Sequence, residues 1–251
     1  MRYFLEFSYN GGAFHGWQIQ PNAYSVQEAL EEALSTLLRE PIALVGAGRT
    51  DTGVHARMMM AHFDADLETE RAANLVYQLN RYLKVPILVH QLHHVRADAH
   101  ARFDARSRTY QYHICPQKDP FKPGLFYHLS APLDLEKMRA GAQLLETFED
   151  FECFAKAHSD VTHFRCNIYK TLWEEHSNEL VFTIQANRFL RNMVRAIVGT
   201  LLELGMGKIE LEDLKTIVAS KDRSKAGYSV PGEGLFLTHI EYPESVYLHH
   251  G

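Results

Sequence analysis

Apolar residues recur along the chain at two spacings, every second residue and every third or fourth, and the switches between them predict the elements. Residues 2–9 (RYFLEFSY) are aromatic-rich and largely alternating, which predicts a strand. At 25–39 the pattern changes. Ser25 with Glu28 three positions on is a capping-box signature, and Val26, Ala29, Leu30, Ala33, Leu34, Leu37 and Leu38 follow at helical spacing. Short apolar strands at 41–47 and 57–64 come next. A helix over 69–83 carries the stripe Ala72, Ala73, Leu75, Val76, Leu79 and Leu83, and a strand at 86–95 completes the order β-α-β-β-α-β.

The second half repeats that order with longer connections. Tyr110, Tyr112 and Ile114 alternate in a strand at 107–115, and a helix over 134–147 opens at Asp134. Strands near 164–176 and 179–187 form a hairpin, helices follow at 188–204 and 210–220, and a strand at 234–242 closes the unit. No Pro/Gly/Ser linker separates the halves, and they share element order rather than visible sequence identity. The expected fold is α+β: two tandem β-α-β-β-α-β (ferredoxin-like) units, residues 1–104 and 105–251. Their mixed or antiparallel sheets would lie side by side around a central cleft.

Composition narrows the classes. With 46% hydrophobic and 23% charged residues, the 251-residue chain is neither low-complexity nor broadly disordered. No apolar run approaches the ~18 residues of a membrane span, and the first residues lack the apolar core of a secretory signal. Cys115, Cys153 and Cys166 are odd in number and form no Cys-x-x-Cys pair, so a reduced, cytoplasmic protein with structural thiols is expected. A net charge of −5 argues against a generic polyanion binder, yet two segments are locally basic. Between Glu179 and Glu203 the only charges are Arg188, Arg191 and Arg195, at spacings that predict one helix face. Between 96 and 108, Arg96, Arg102, Arg106 and Arg108 face only Asp98 and Asp104. A solvated, salt-bridged face is the plain reading of either cluster.

The most unusual stretch joins the second and third strands: Gly46-Ala47-Gly48-Arg49-Thr50-Asp51-Thr52-Gly53-Val54-His55-Ala56. It fails as a dinucleotide fingerprint, because Asp51 stands where the third glycine belongs, and as a P-loop, because Val54-His55 follows Gly53. What remains is a tight turn presenting an arginine, a carboxylate and a histidine. Asp51 reads as a plain turn residue bonding its own backbone, or as a carboxylate held at a strand end to act as nucleophile or base. Composition leaves both open.

The chain resembles the tRNA pseudouridine synthase A family along nearly its whole length. The matching blocks begin with Tyr9-Asn10-Gly11, Phe14-His15-Gly16-Trp17-Gln18 and Val26-Gln27. The most specific is Gly48-Arg49-Thr50-Asp51-x-Gly53-Val54-His55-Ala56, followed by His62-Phe63. Next come His100-Ala101-Arg102-Phe103, Arg108-x-Tyr110-x-Tyr112 and Asp150-Phe151 with Phe154. The last are Ala186-Asn187-x-Phe189-Leu190-x-Asn192-Met193-Val194-Arg195 with Gly199, and Pro231-x-x-Gly234-Leu235. Departures are mild and local: Lys84, Pro86, Ala99 and Val230-Pro231-Gly232 replace the family's usual residues.

The resemblance implies isomerisation of uridine to pseudouridine in the anticodon stem and loop, by a homodimer, with no cofactor and no metal. It implies Asp51 as the catalytic carboxylate, paired with Arg195 across the cleft. It also implies that Tyr110, Arg49 and Leu235 meet the substrate and that Arg188, Arg191, Arg102 and His55 serve RNA binding. Asp51 would act on the anomeric carbon or take a proton from its neighbour. Two rivals stand beside this reading. A hydrolytic glycosidase would need a second carboxylate, for which only Asp64 and Asp66 lie near. A pair of RNA-recognition modules would carry an aromatic signature that this sequence lacks. Cys153, His158, His163 and Cys166 are of zinc-ligand type, but their spacing matches no common finger and a loop with incidental ligand types is expected.

Overall fold

The computed structural model describes residues 1–156, 161–176 and 178–248. The chain is α+β and divides into two compact units, Met1–Arg106 with Leu237–Gly251, and Ser107–Phe236. Among the described residues, no helix is long and apolar enough to cross a membrane.

In the first unit the order is β1 (Arg2–Tyr9), α1 (Val26–Leu38), β2 (Val45–Gly46), β3 (His55–Asp64), α2 (Thr69–Tyr82) and β4 (Ile87–Val95). β1 pairs antiparallel with both β4 and β3, and β2 pairs antiparallel with β3, giving the order β4-β1-β3-β2. β1 and β2 therefore run parallel with β3 between them, which is the split βαβ arrangement. The alternation of β1 buries Tyr3, Leu5, Phe7 and Tyr9 on one face, Phe4 is buried on the other against Tyr242, and α1 buries Leu30, Ala33 and Leu34. The capping box at Ser25 is formed: its side chain accepts the Glu28 N–H, and the Glu28 carboxylate accepts the Ser25 N–H.

The strand expected over 41–47 contracts to β2. The apolar run there is not satisfied by a ladder but by α1 side chains. Ser35 Oγ accepts the Ile42 N–H (2.9 Å), Glu31 accepts the Leu44 N–H (2.8 Å), and Gln27 Nε2 donates to the Leu44 carbonyl (3.0 Å). Backbone groups paired in this way have no need of a neighbouring strand.

The second unit contains β5 (Ser107–Cys115), β6 (Tyr127–His128), α3 (Leu135–Leu145), β7 (Ile168–His176), β8 (Glu179–Ala186), α4 (Met193–Gly205) and α5 (Leu211–Ser220). β9 (Leu235–Glu241) starts here and ends in the first unit. β8 lies between β5 and β7, antiparallel to both, so β5-β8-β7 repeats the β1-β3-β2 order. Asp134 caps α3 as its sequence suggested, accepting the Lys137 N–H.

One helix boundary differs from expectation in a way that matters for the site. The helix expected over 188–204 starts only at Met193, so Arg188 and Arg191 lie before it and Arg195 alone sits on α4. Asn192 adopts φ 68°, a left-handed conformation that interrupts any helical run from 188. The regular spacing of the arginines imitates a helix face without forming one.

Candidate active site

The turn that follows β2 is clamped by the loop that follows β1. Ala47 N donates to the Met60 carbonyl (2.8 Å), and Val54 N donates to the Asp51 carbonyl (3.1 Å), closing the turn through Gly53 at φ 79°. From the other side, Trp17 N donates to the Thr50 carbonyl (3.2 Å), and the Tyr9 hydroxyl lies 2.8 Å from Thr50 Oγ1. Gly11 N donates to His55 Nδ1 at 3.0 Å. Two glycines make the approach possible. A Cβ on Gly11 would fall 2.0 Å from the Val54 carbonyl oxygen, and Gly16, at φ 92°, sits where a Cβ would be 2.5 Å from that of Thr50. Behind the turn, Trp17 is buried and stacks on Phe7, with ring centroids 5.6 Å apart.

Asp51 is thereby fixed through its neighbours on either side. It is partly exposed, Arg49 is exposed, and His55 is sealed at 1% exposure, supporting the turn from within. A reactive group whose backbone is held this firmly meets its substrate with little reorganisation. Tyr9, Gly11, Gly16, Trp17 and Thr50 brace the turn, a role that the sequence pattern does not assign them. The signal that could have found them is the interleaving of glycines with aromatics from Tyr9 to Trp17.

The second unit presents its own set. Tyr110 faces Ile184 across β5–β8, half-buried, with the Phe189 ring edge-on at 5.1 Å. Arg195 lies in the first turn of α4, its Nε donating to the Val230 carbonyl (2.7 Å) while Val230 N donates to the Arg195 carbonyl (3.2 Å). Leu235 is buried at the start of β9. Arg188 Nη1 lies 3.1 Å from His163 Nε2, and the Arg191 carbonyl accepts the Lys156 N–H, so the segment before α4 meets the loop that follows Phe154. Lys156, His163, Arg165 and Arg191 are all exposed around it. In the first unit Arg102 is exposed and lies over the Phe103 ring at 5.5 Å.

Of the four residues of zinc-ligand type, His158 lies outside the described residues. Cys153 and Cys166 are buried free thiols, and burial pushes them up to about 12 and about 11. His163 is exposed, and its Nδ1 accepts the Arg165 N–H.

One buried histidine carries a pH prediction. His62 on β3 accepts the Ala101 N–H at Nδ1 (3.1 Å), and burial, with His100 and Arg2 adding to it against Asp64 and Asp104, lowers its pKa from 6.5 to about 4. Below pH 6.5 the unfolded chain takes up a proton that the folded ring refuses, so stability falls as pH drops from 6.5 towards 4. Urea midpoints measured across that window are expected to decline more steeply for the wild type than for His62→Gln. Parallel slopes would show that His62 does not carry the effect.

Comparison with known proteins identifies the family. Residues 142–243 match a family model described as tRNA pseudouridine synthase. A tRNA pseudouridine synthase A of Parabacteroides distasonis is 49% identical over 246 residues, covering 98% of each chain. Its namesake in Porphyromonas gingivalis is 48% identical over 250 residues, covering 98% of this chain and 99% of its own. That of Bacillus subtilis is 39% identical over 246 residues, covering 96% and 99%. Matches of this extent cover both units. The chain belongs to the tRNA pseudouridine synthase A family of isomerases.

Proposed function

We propose that the protein converts uridines of the tRNA anticodon stem and loop to pseudouridine, with Asp51 as the catalytic carboxylate. The observation that carries this reading is the clamped turn, which fixes the backbone around a partly exposed Asp51 from two directions. The reaction breaks the bond from the ribose anomeric carbon to N1 of uracil, turns the base, and joins the same carbon to C5. The C5 proton is lost to water and N1 gains one. Atoms balance without oxidant, energy source or cofactor. The target base must leave its stack, at a cost of a few kcal/mol that contacts with the extruded nucleotide offset.

The roles follow from residue chemistry. Asp51 acts on the ribose. Tyr110 supplies an aromatic face that accepts any pyrimidine. Arg195 and Leu235 meet the substrate nucleotide, and Arg49, Arg102, Arg188 and Arg191 meet phosphates, fixing register without reading sequence. His55 serves the RNA site indirectly, by holding Gly11 against the turn. The protein works in the cytoplasm as a homodimer, which doubles the basic surface offered by a chain of net charge −5. A light-scattering mass of one chain at working concentration would remove the dimer.

The glycosidase alternative finds one of its two candidate acids, Asp64, already engaged. Arg2 grips both oxygens of Asp64 (2.8 and 2.7 Å) and holds that carboxyl below the usual range, where it keeps no proton to donate. The test uses tRNA tritiated at uracil C5. Release of label to water in step with pseudouridine formation is expected. Free uracil in the supernatant, or no release at all, would overturn the proposal.

A further inference from the structure

Residues 226–231 form a strap laid along the first turns of α4. The approach is closer than any side chain at Gly199 would permit, since a Cβ there would lie 1.8 Å from the Tyr228 carbonyl oxygen. Gly227 N donates to Thr200 Oγ1 (2.8 Å), and the Tyr112 hydroxyl, kept protonated by burial, donates to the Pro231 carbonyl (2.9 Å). Between these anchors, the Val230 carbonyl takes the Nε–H of Arg195.

The strap is in turn held by Arg223, which follows α5. Its Nη1 donates to the carbonyls of Ala226 (3.2 Å) and Gly227 (3.0 Å), and its Nη2 donates to Ser229 Oγ (2.8 Å). Ser229 Oγ also accepts from Asn192 Nδ2 (2.6 Å), the left-handed residue just before α4. A guanidinium is planar, with donors in a fixed fork, so an acceptor on Nε sets the plane in which both Nη groups lie. A shift of the strap would tilt that plane and carry the two Nη groups off target.

We infer that Arg223 is a positioning residue for the isomerisation, orienting the Arg195 guanidinium through the strap that runs from Ala226 to Val230. This rests on the proposed role of Arg195 at the substrate nucleotide. Arg223 touches no reacting atom. It sets the angle of a group that does, and small displacements of that kind can cost up to about a hundredfold in rate.

The test compares Arg223→Ala, Ser229→Ala and Arg195→Lys, and the double variant Arg223→Ala/Arg195→Lys, by tritium release and tRNA binding. Lysine has no Nε donor for Val230, so it removes the link on which the strap acts. Arg223→Ala is expected to lower kcat about tenfold or more, and Ser229→Ala about three- to tenfold, with KM for tRNA within about twofold of wild type. On the Arg195→Lys background, Arg223→Ala should add almost nothing. Ser229→Ala removes only a hydroxyl, so it gives a reading even if Arg223→Ala folds poorly. Equal penalties in both backgrounds would make Arg223 merely structural and overturn the inference. So would wild-type kcat in both the Arg223→Ala and Ser229→Ala variants while Arg195→Lys is impaired. Wild-type behaviour of Arg195→Lys itself would instead remove the role of Arg195, and the inference with it.

Discussion

Asp51→Asn is expected to reduce tritium release from C5-labelled tRNA by about a thousandfold, the middle of the range for loss of a positioned group that handles a proton or bond in the transition state. The substitution is nearly isosteric. It leaves the Val54 N–H to Asp51 carbonyl bond in place, and asparagine is as comfortable in a turn as aspartate. Binding of tRNA should therefore stay within about threefold of wild type, because the proposed phosphate contacts fall to arginines elsewhere. Initial rates and filter binding on the same preparations separate the two quantities. Release within tenfold of wild type would move the chemistry to another residue.

Gly11→Ala is expected to have the largest effect on stability near the site. The added methyl would fall 2.0 Å from the Val54 carbonyl oxygen and 2.6 Å from its carbon, both backbone atoms that cannot swing aside as a side-chain tip can. Forcing extra volume into a packed position typically costs about 1–3 kcal/mol, and here the neighbour is the turn itself. The loop after β1 must lift, loosening the Gly11–His55 and Trp17–Thr50 bonds that hold Asp51's surroundings. Urea denaturation should show a loss of about 3 kcal/mol at pH 7, accompanied by lost activity. An unchanged midpoint with full activity would mean that the turn accommodates the methyl and that the clamp is looser than described.

The sequence carried most of the fold because local signals agreed with tertiary demands. The alternation of 2–9, the capping box at Ser25 and the cap at Asp134 each proposed an element that formed, since burial and end-capping rewarded the same residues. Two of the expected elements formed only in part, for opposite reasons. The strand expected over 41–47 formed only as β2, because side chains of α1 reached the backbone of Ile42 and Leu44 first. The arginines at 188, 191 and 195 looked like a helix face, but Asn192 turns left-handed and its side chain is tied to Ser229. Both outcomes depend on side-chain bonds that reach into other elements, which periodicity does not register.

The candidate site divides in the same way. Gly48 to Ala56 stood out by composition, and its match to a known family gave Asp51 a role. The loop that braces it could not be read from spacing, because Gly11 and Val54 become neighbours only after β1 and β3 have paired. Nor could the strap on α4 be read, since Gly199 and Tyr228 meet through backbone contact alone.

All three cysteines of the chain are buried as free thiols, and burial raises each of them above its ordinary value. The native surface is thus close to inert towards maleimides under mild conditions. A single cysteine introduced at an exposed position such as Phe121 can carry a fluorophore without prior removal of the natural ones. Docking and departure of tRNA then become observable in real time on an otherwise unaltered protein.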